Sequence, residues 1–253
     1  MKHFLMLILG ALFFCASCAD PPDPEKVLAR ARHYRLQGQY AKALKDHLWF
    51  HENALRYNPA LYGVRLSFAL EEWIALGADF PDAIRALAEI RDQKTELLEK
   101  GLGTPEIFHD VQSINRCLHE PQKTVALIKR LCESDFETAK QCYDLAKADL
   151  IASGEFALCN RLMDAPMFLA RDMKALLKKN ITIYKTAPWA DTAQREWTVR
   201  HFMEEAEAVL VVLAKNQRHV EAERFIKDLE DAADMASIQN GLLELKRKYL
   251  LHP

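Results

Sequence analysis

The residues of this chain best placed for chemistry are His47 and His51. They stand four apart, so one helical turn would carry both imidazoles to the same face, a spacing that can hold a metal ion. The metalloprotease pattern H-E-x-x-H is missing, because His51-Glu52 runs on into Asn53, Ala54 and Leu55. His119-Glu120 runs into Pro121 in the same way. Two readings stand for the pair: a packed or surface histidine pair, or a metal or haem site. No G-x-S-x-G elbow, phosphate-cradling glycine loop or framed pair of carboxylates occurs. The acidic run Asp228, Glu230, Asp231 and Asp234 reads as a solvated helix face. The expectation is a protein that is not an enzyme and has no resident metal or cofactor.

Four cysteines, Cys117, Cys132, Cys142 and Cys159, lie well inside the chain, and none has metal-ligand spacing. They read as small apolar core residues. Should one bridge form, Cys132 with Cys142 fits best, since the two flank a turn expected near residues 135–136. The aromatic residues Trp49, Phe50, Tyr57, Tyr62, Phe68 and Trp73 crowd one region. They serve either as a stacking surface for a ligand or as core between long helices.

Charge and length narrow the function classes. The chain has 253 residues, with 34 Lys and Arg against 36 Asp and Glu. Such a balance gives no electrostatic footprint for nucleic acid and no polybasic membrane patch. Lys2 opens a short apolar run from Phe4 to Phe14. A run of roughly 12 residues is too short to span a bilayer and reads as an export signal over 1–17. Cys15-Ala16-Ser17-Cys18 resembles the bacterial lipobox at its last three positions, with Cys15 where a leucine is usual. Lipid attachment at Cys18 is one reading. Plain cleavage after Ala19, giving a soluble periplasmic or secreted protein, is the other. Residues 18–24 then form a proline-rich spacer.

The elements that must position these residues are helical. Pro59, Pro81, Pro105, Pro121, Pro166 and Pro188 each precede an apolar-periodic stretch, where a first helical turn has no use for the missing N–H. Gly38, Gly77 and Gly154 fall at expected turns, and Gly101 and Gly103 bracket a loop. The expected helices cover 24–37, 40–57, 60–77, 81–99, 105–118, 121–133, 136–153, 155–163, 167–186, 190–215, 218–233 and 237–250. Ile181-Thr182-Ile183-Tyr184 has strand-type residues between helical flanks.

Two short segments carry a family resemblance. Gly38-Gln39-Tyr40-Ala41-Lys42-Ala43-Leu44 and Gly154-Glu155-Phe156-Ala157-Leu158-Cys159 each place a glycine, an aromatic and a small residue between helices. They resemble the turn of tetratricopeptide-type helical hairpins. Aligning the small residues gives Ala43, Ala83, Ala126, Cys159 and Ala222, at unequal intervals. The resemblance implies an all-α fold over residues 25–253, a right-handed α-solenoid of about five to six antiparallel hairpins. In that family the first helix of each hairpin lines a concave groove. Carried over by register, this places Arg32, Arg35, Arg65, Phe68, Glu72, Asn115, Gln141 and Asp144 in the groove. The arginines would form a cationic strip able to clamp a partner's carboxylates.

The function so implied is a non-catalytic scaffold of the bacterial cell envelope, binding a protein or peptide segment in the groove and tethered to a membrane through lipid. Its length and tether are similar to those of outer-membrane assembly lipoproteins. A small-molecule or glycan-binding envelope lipoprotein is the alternative. A metal-dependent enzyme using His47 and His51 is a third.

Overall fold

The computed structural model describes residues 22–186, 192–230 and 236–250. Residues 1–17, read above as an export signal, lie outside the described residues, as do Cys18 and Pro188. Those described are all-helical, with fourteen α-helices, one short 3-10 turn and no strand. The contacts divide the chain into two compact units, meeting in sequence between Asp79 and Phe80.

The first unit holds α1 (Pro24–Leu36), α2 (Tyr40–Tyr57), a 3-10 turn (Pro59–Leu61), α3 (Tyr62–Leu66) and α4 (Phe68–Asp79). Pro24 opens α1, and the Asp23 carboxylate caps it by accepting from the N–H groups of Glu25 and Lys26. α2 packs on α1 and on α4. Its inward face carries Ala43, Phe50 and Ala54, and α4 answers with Leu70, Trp73 and Leu76, all buried. Enclosing a side chain as large as Phe50 contributes about 2–3 kcal/mol. The helix expected over 60–77 is broken at Ser67, whose backbone leaves the helical region while its Oγ donates to the Gly63 carbonyl. Gly77 is no turn: α4 continues through it to Asp79, with Gly77 buried.

The second unit runs through α5 (Pro81–Glu99), α6 (Pro105–Cys117), α7 (Pro121–Ser134), α8 (Phe136–Gln141) and α9 (Tyr143–Ala152). It continues with α10 (Phe156–Leu162), α11 (Pro166–Thr186), α12 (Thr192–Lys215), α13 (His219–Glu230) and α14 (Ala236–Tyr249). α5, α7, α11 and α6 all open on proline, and Thr104 caps α6 by accepting from the Ile107 N–H. One apolar core extends from Leu98 and Phe108 through Leu131, Leu150, Phe202 and Leu213 to Phe225 and Leu242. The helix expected over 136–153 is interrupted at Cys142. Residues 181–184 are helical despite their strand-type side chains.

The turns share one chemistry. Gly38, Gly101, His119, Gly154 and Gln217 all have positive φ. After each, the next N–H donates to the carbonyl five residues back, as in Gln39 to Tyr34 (2.8 Å) and Glu155 to Leu150 (2.9 Å). This left-handed closure satisfies the last carbonyls of the preceding helix. After Gly38, His119, Gly154 and Gln217, the fifth residue on is Ala43, Thr124, Cys159 or Ala222, each fully buried. The third of the aligned small positions is thus Thr124 and not Ala126, which is only half-buried. His119 in the left-handed turn sets that register.

Candidate functional site

In the first unit, α1, α2, α3 and α4 enclose a groove of about 360 Å³. Leu28, Phe50, Leu61 and Val64 form its apolar floor. Phe68 stands at the start of α4 with two-thirds of its surface exposed, a large apolar side chain left open at the groove. Arg32 on α1 and Glu72 on α4 complete the wall as an ion pair at 2.7 Å. Glu72 Oε2 is buried and has no hydrogen-bond partner among the described residues.

Three of the residues expected in a binding groove, Arg32, Phe68 and Glu72, are therefore brought together. The others are placed differently. Arg35 leans on Asp79 at 3.7 Å. Arg65 is buried, with Nη1 3.2 Å from His51 Nε2. No continuous strip of free positive charge results, because Arg32 and Arg35 are matched by carboxylates and Arg65 is enclosed. Asn115 is not a surface residue at all. It is fully buried, accepts from Arg91 Nη1 at 3.1 Å and donates to Thr124 Oγ1 at 3.1 Å. Arg91, also buried, reaches Glu120 and Asp92 at 2.5 Å each. Burial opposes its charge, and the bonds to Asp92 and Glu120 outweigh that and raise its pKa. Gln141 is exposed at the end of α8. Asp144 is exposed on α9 and lines a second groove, in the second unit.

The two histidines differ in burial and in their polar neighbours. His47 is almost fully buried, stacks on Trp73 with ring centroids 5.5 Å apart, and neither ring nitrogen has a partner among the described residues. Burial pushes its pKa down to about 4; Asp46 raises it slightly and Arg35 lowers it further. His51 meets the same indole edge-on, with ring centroids 6.1 Å apart, and also faces the Arg65 guanidinium, a neighbour that opposes a second cation. Among the described residues no group of three or more His, Cys, Asp or Glu could hold a metal ion. No helix among them is long and apolar enough to cross a membrane.

The aromatic cluster divides between the two readings. Phe50 and Trp73 are core, Trp49 stacks on a half-exposed Tyr57 at 5.7 Å, and Phe68 is open. The four inner cysteines are free thiols, so Cys132 and Cys142 are not bridged. Burial pushes the Cys142 thiol up to about 12 and the Cys159 thiol up to about 11.

The cleft between α11 and α12 escaped sequence reading. Trp197 and His201 stack at 5.0 Å on α12, and Met173 and Leu176 face them from α11. Their spacings of four and three residues were visible, but which two helices meet was not. No family model, curated protein or solved structure matches this chain.

Proposed function

We propose that this protein is a non-catalytic interaction scaffold of the bacterial cell envelope, tethered by lipid at Cys18. In this reading its helices are stacked hairpins of a right-handed, tetratricopeptide-like α-solenoid. Support comes from the four turns that pair a left-handed residue with a fully buried small residue five positions on. Small side chains at such points let helices cross closely.

The observation that carries the binding function is Phe68, two-thirds exposed over the apolar floor of the first unit's groove. Open aromatics of this size are preferred anchors for a partner. An apolar side chain of the partner seats on Phe50, Leu61 and Phe68. A flanking carboxylate reaches Arg32, whose side chain stays 64% exposed beside Glu72. Photocrosslinking from position 68 tests this. A photoreactive residue there is expected to give a discrete protein adduct in cells, while one at Leu36, exposed on the same unit and outside the groove lining, gives none. Equal labelling from both positions, or none from 68, would sink the reading. A glycan ligand would leave position 68 without a protein adduct and show instead as binding to a carbohydrate array.

A further inference from the structure

The groove of the second unit differs in charge from that of the first. It holds about 400 Å³, between α8, α9, α11 and α12. Its floor is apolar: Tyr143 and Met163 are buried, and Leu176 is half exposed. Its charged lining is Asp144, Asp164, Asp172 and Glu205 against Lys140 and Lys147. Both lysines are already engaged. Lys140 lies 3.0 Å from Asp164, and Lys147 bridges Glu205 at 2.5 Å and Asp144 at 3.5 Å. Arg171, on the same helix, pairs with Asp172 at 2.8 Å, yet carboxylates still outnumber cations, and Asp144 and Asp172 are largely exposed to an incoming segment.

At one end the groove runs into a smaller cleft that shares Met173, Leu176, His201 and Glu205. Trp197 forms the lip of that cleft, half exposed, with His201 stacked on it. A half-exposed indole beside carboxylates suits an arginine or lysine, through cation–π attraction at the ring face added to ion pairing. The thioethers of Met163 and Met173 adapt to varied apolar side chains.

From the acidic lining, the apolar floor and the open indole, we propose that this groove binds a basic amphipathic segment of a partner protein, with apolar side chains on the floor and Lys or Arg on the carboxylates. The site shares no lining residue with the Phe68 groove, so each reading can fail without the other.

The test uses the full chain and two synthetic probes of about 18 residues, long enough for five helical turns. One sets leucine and lysine on opposite faces at helical spacing, and the other has glutamate for lysine. The lysine peptide is expected to bind one to one, more weakly as salt rises, and the glutamate peptide not at all. A benzophenone on the lysine peptide is expected to label fragments containing Met163 or Met173. Asp144→Lys with Asp172→Lys, and separately Leu176→Asp, should each weaken binding about tenfold or more. These positions are exposed enough to leave folding intact, which circular dichroism checks. Equal binding of the two peptides, several peptides per chain, labelling confined elsewhere, or unchanged affinity in both variants would overturn the proposal.

Discussion

His47 shows how burial converts a candidate ligand into a stability determinant. Its imidazole is sealed against Trp73 and held neutral, with a pKa near 4 against about 6.5 in an unfolded chain. Between those values the unfolded chain takes up a proton that the folded one refuses. Stability is therefore complete above about pH 6.5 and falls as pH drops toward 4, by about 3 kcal/mol at the lower end. His47→Phe keeps the stack on Trp73 and removes the titration. Urea denaturation at a series of pH values is expected to show the variant losing about 3 kcal/mol less than the wild type over that window. Parallel pH profiles would refute the assignment. The spacing of His47 and His51 was legible in the sequence, but what faces each ring was not. Trp73 and Arg65 arrive from other helices, and no local pattern encodes that meeting. For the same reason Arg32 and Glu72 were legible as groove residues but not as each other's ion-pair partners.

At the scale of the element, the punctuation of the chain was largely legible because it is local. Proline at a helix start and glycine at a left-handed turn act through φ alone. His119 and Gln217 escaped because they do the work of glycine without being glycine. A side chain in that region costs about 1–2 kcal/mol, offset in part by the greater freedom glycine has when unfolded. His119→Gly and Gln217→Gly are thus expected to be neutral or to stabilise by up to about 1 kcal/mol. Gly38→Ala should destabilise by about 1 kcal/mol through strain alone, since a Cβ there meets no atom within 4 Å. Chemical denaturation of the three variants checks both directions, and a stabilised Gly38→Ala would contradict the turn chemistry. The breaks at Ser67 and Cys142 had no such local mark. Neither Gly nor Pro stands at them, so apolar periodicity ran straight through.

At the scale of the molecule, the proposed tether rests on Cys18, and its reach decides what it could do. α1 is capped at Asp23, five residues after Cys18. A chain of that length spans at most roughly 17 Å, so a lipid on Cys18 would hold the first unit close to the bilayer surface. Glu25, Leu28 and Arg32 of its groove lie on that same first helix. Acyl chains contribute about 0.8 kcal/mol per buried CH₂, and more than one chain makes attachment durable. The wild type is therefore expected to fractionate with membranes and to resist high-salt extraction, whereas Cys18→Ala is released. Mass spectrometry of the mature amino terminus distinguishes the alternatives directly. An acylated Cys18 carries the proposal. An unmodified terminus at Asp20 would mean cleavage after Ala19 and a soluble protein, and the Phe68 groove would then have to find its partner without a membrane to hold it in place.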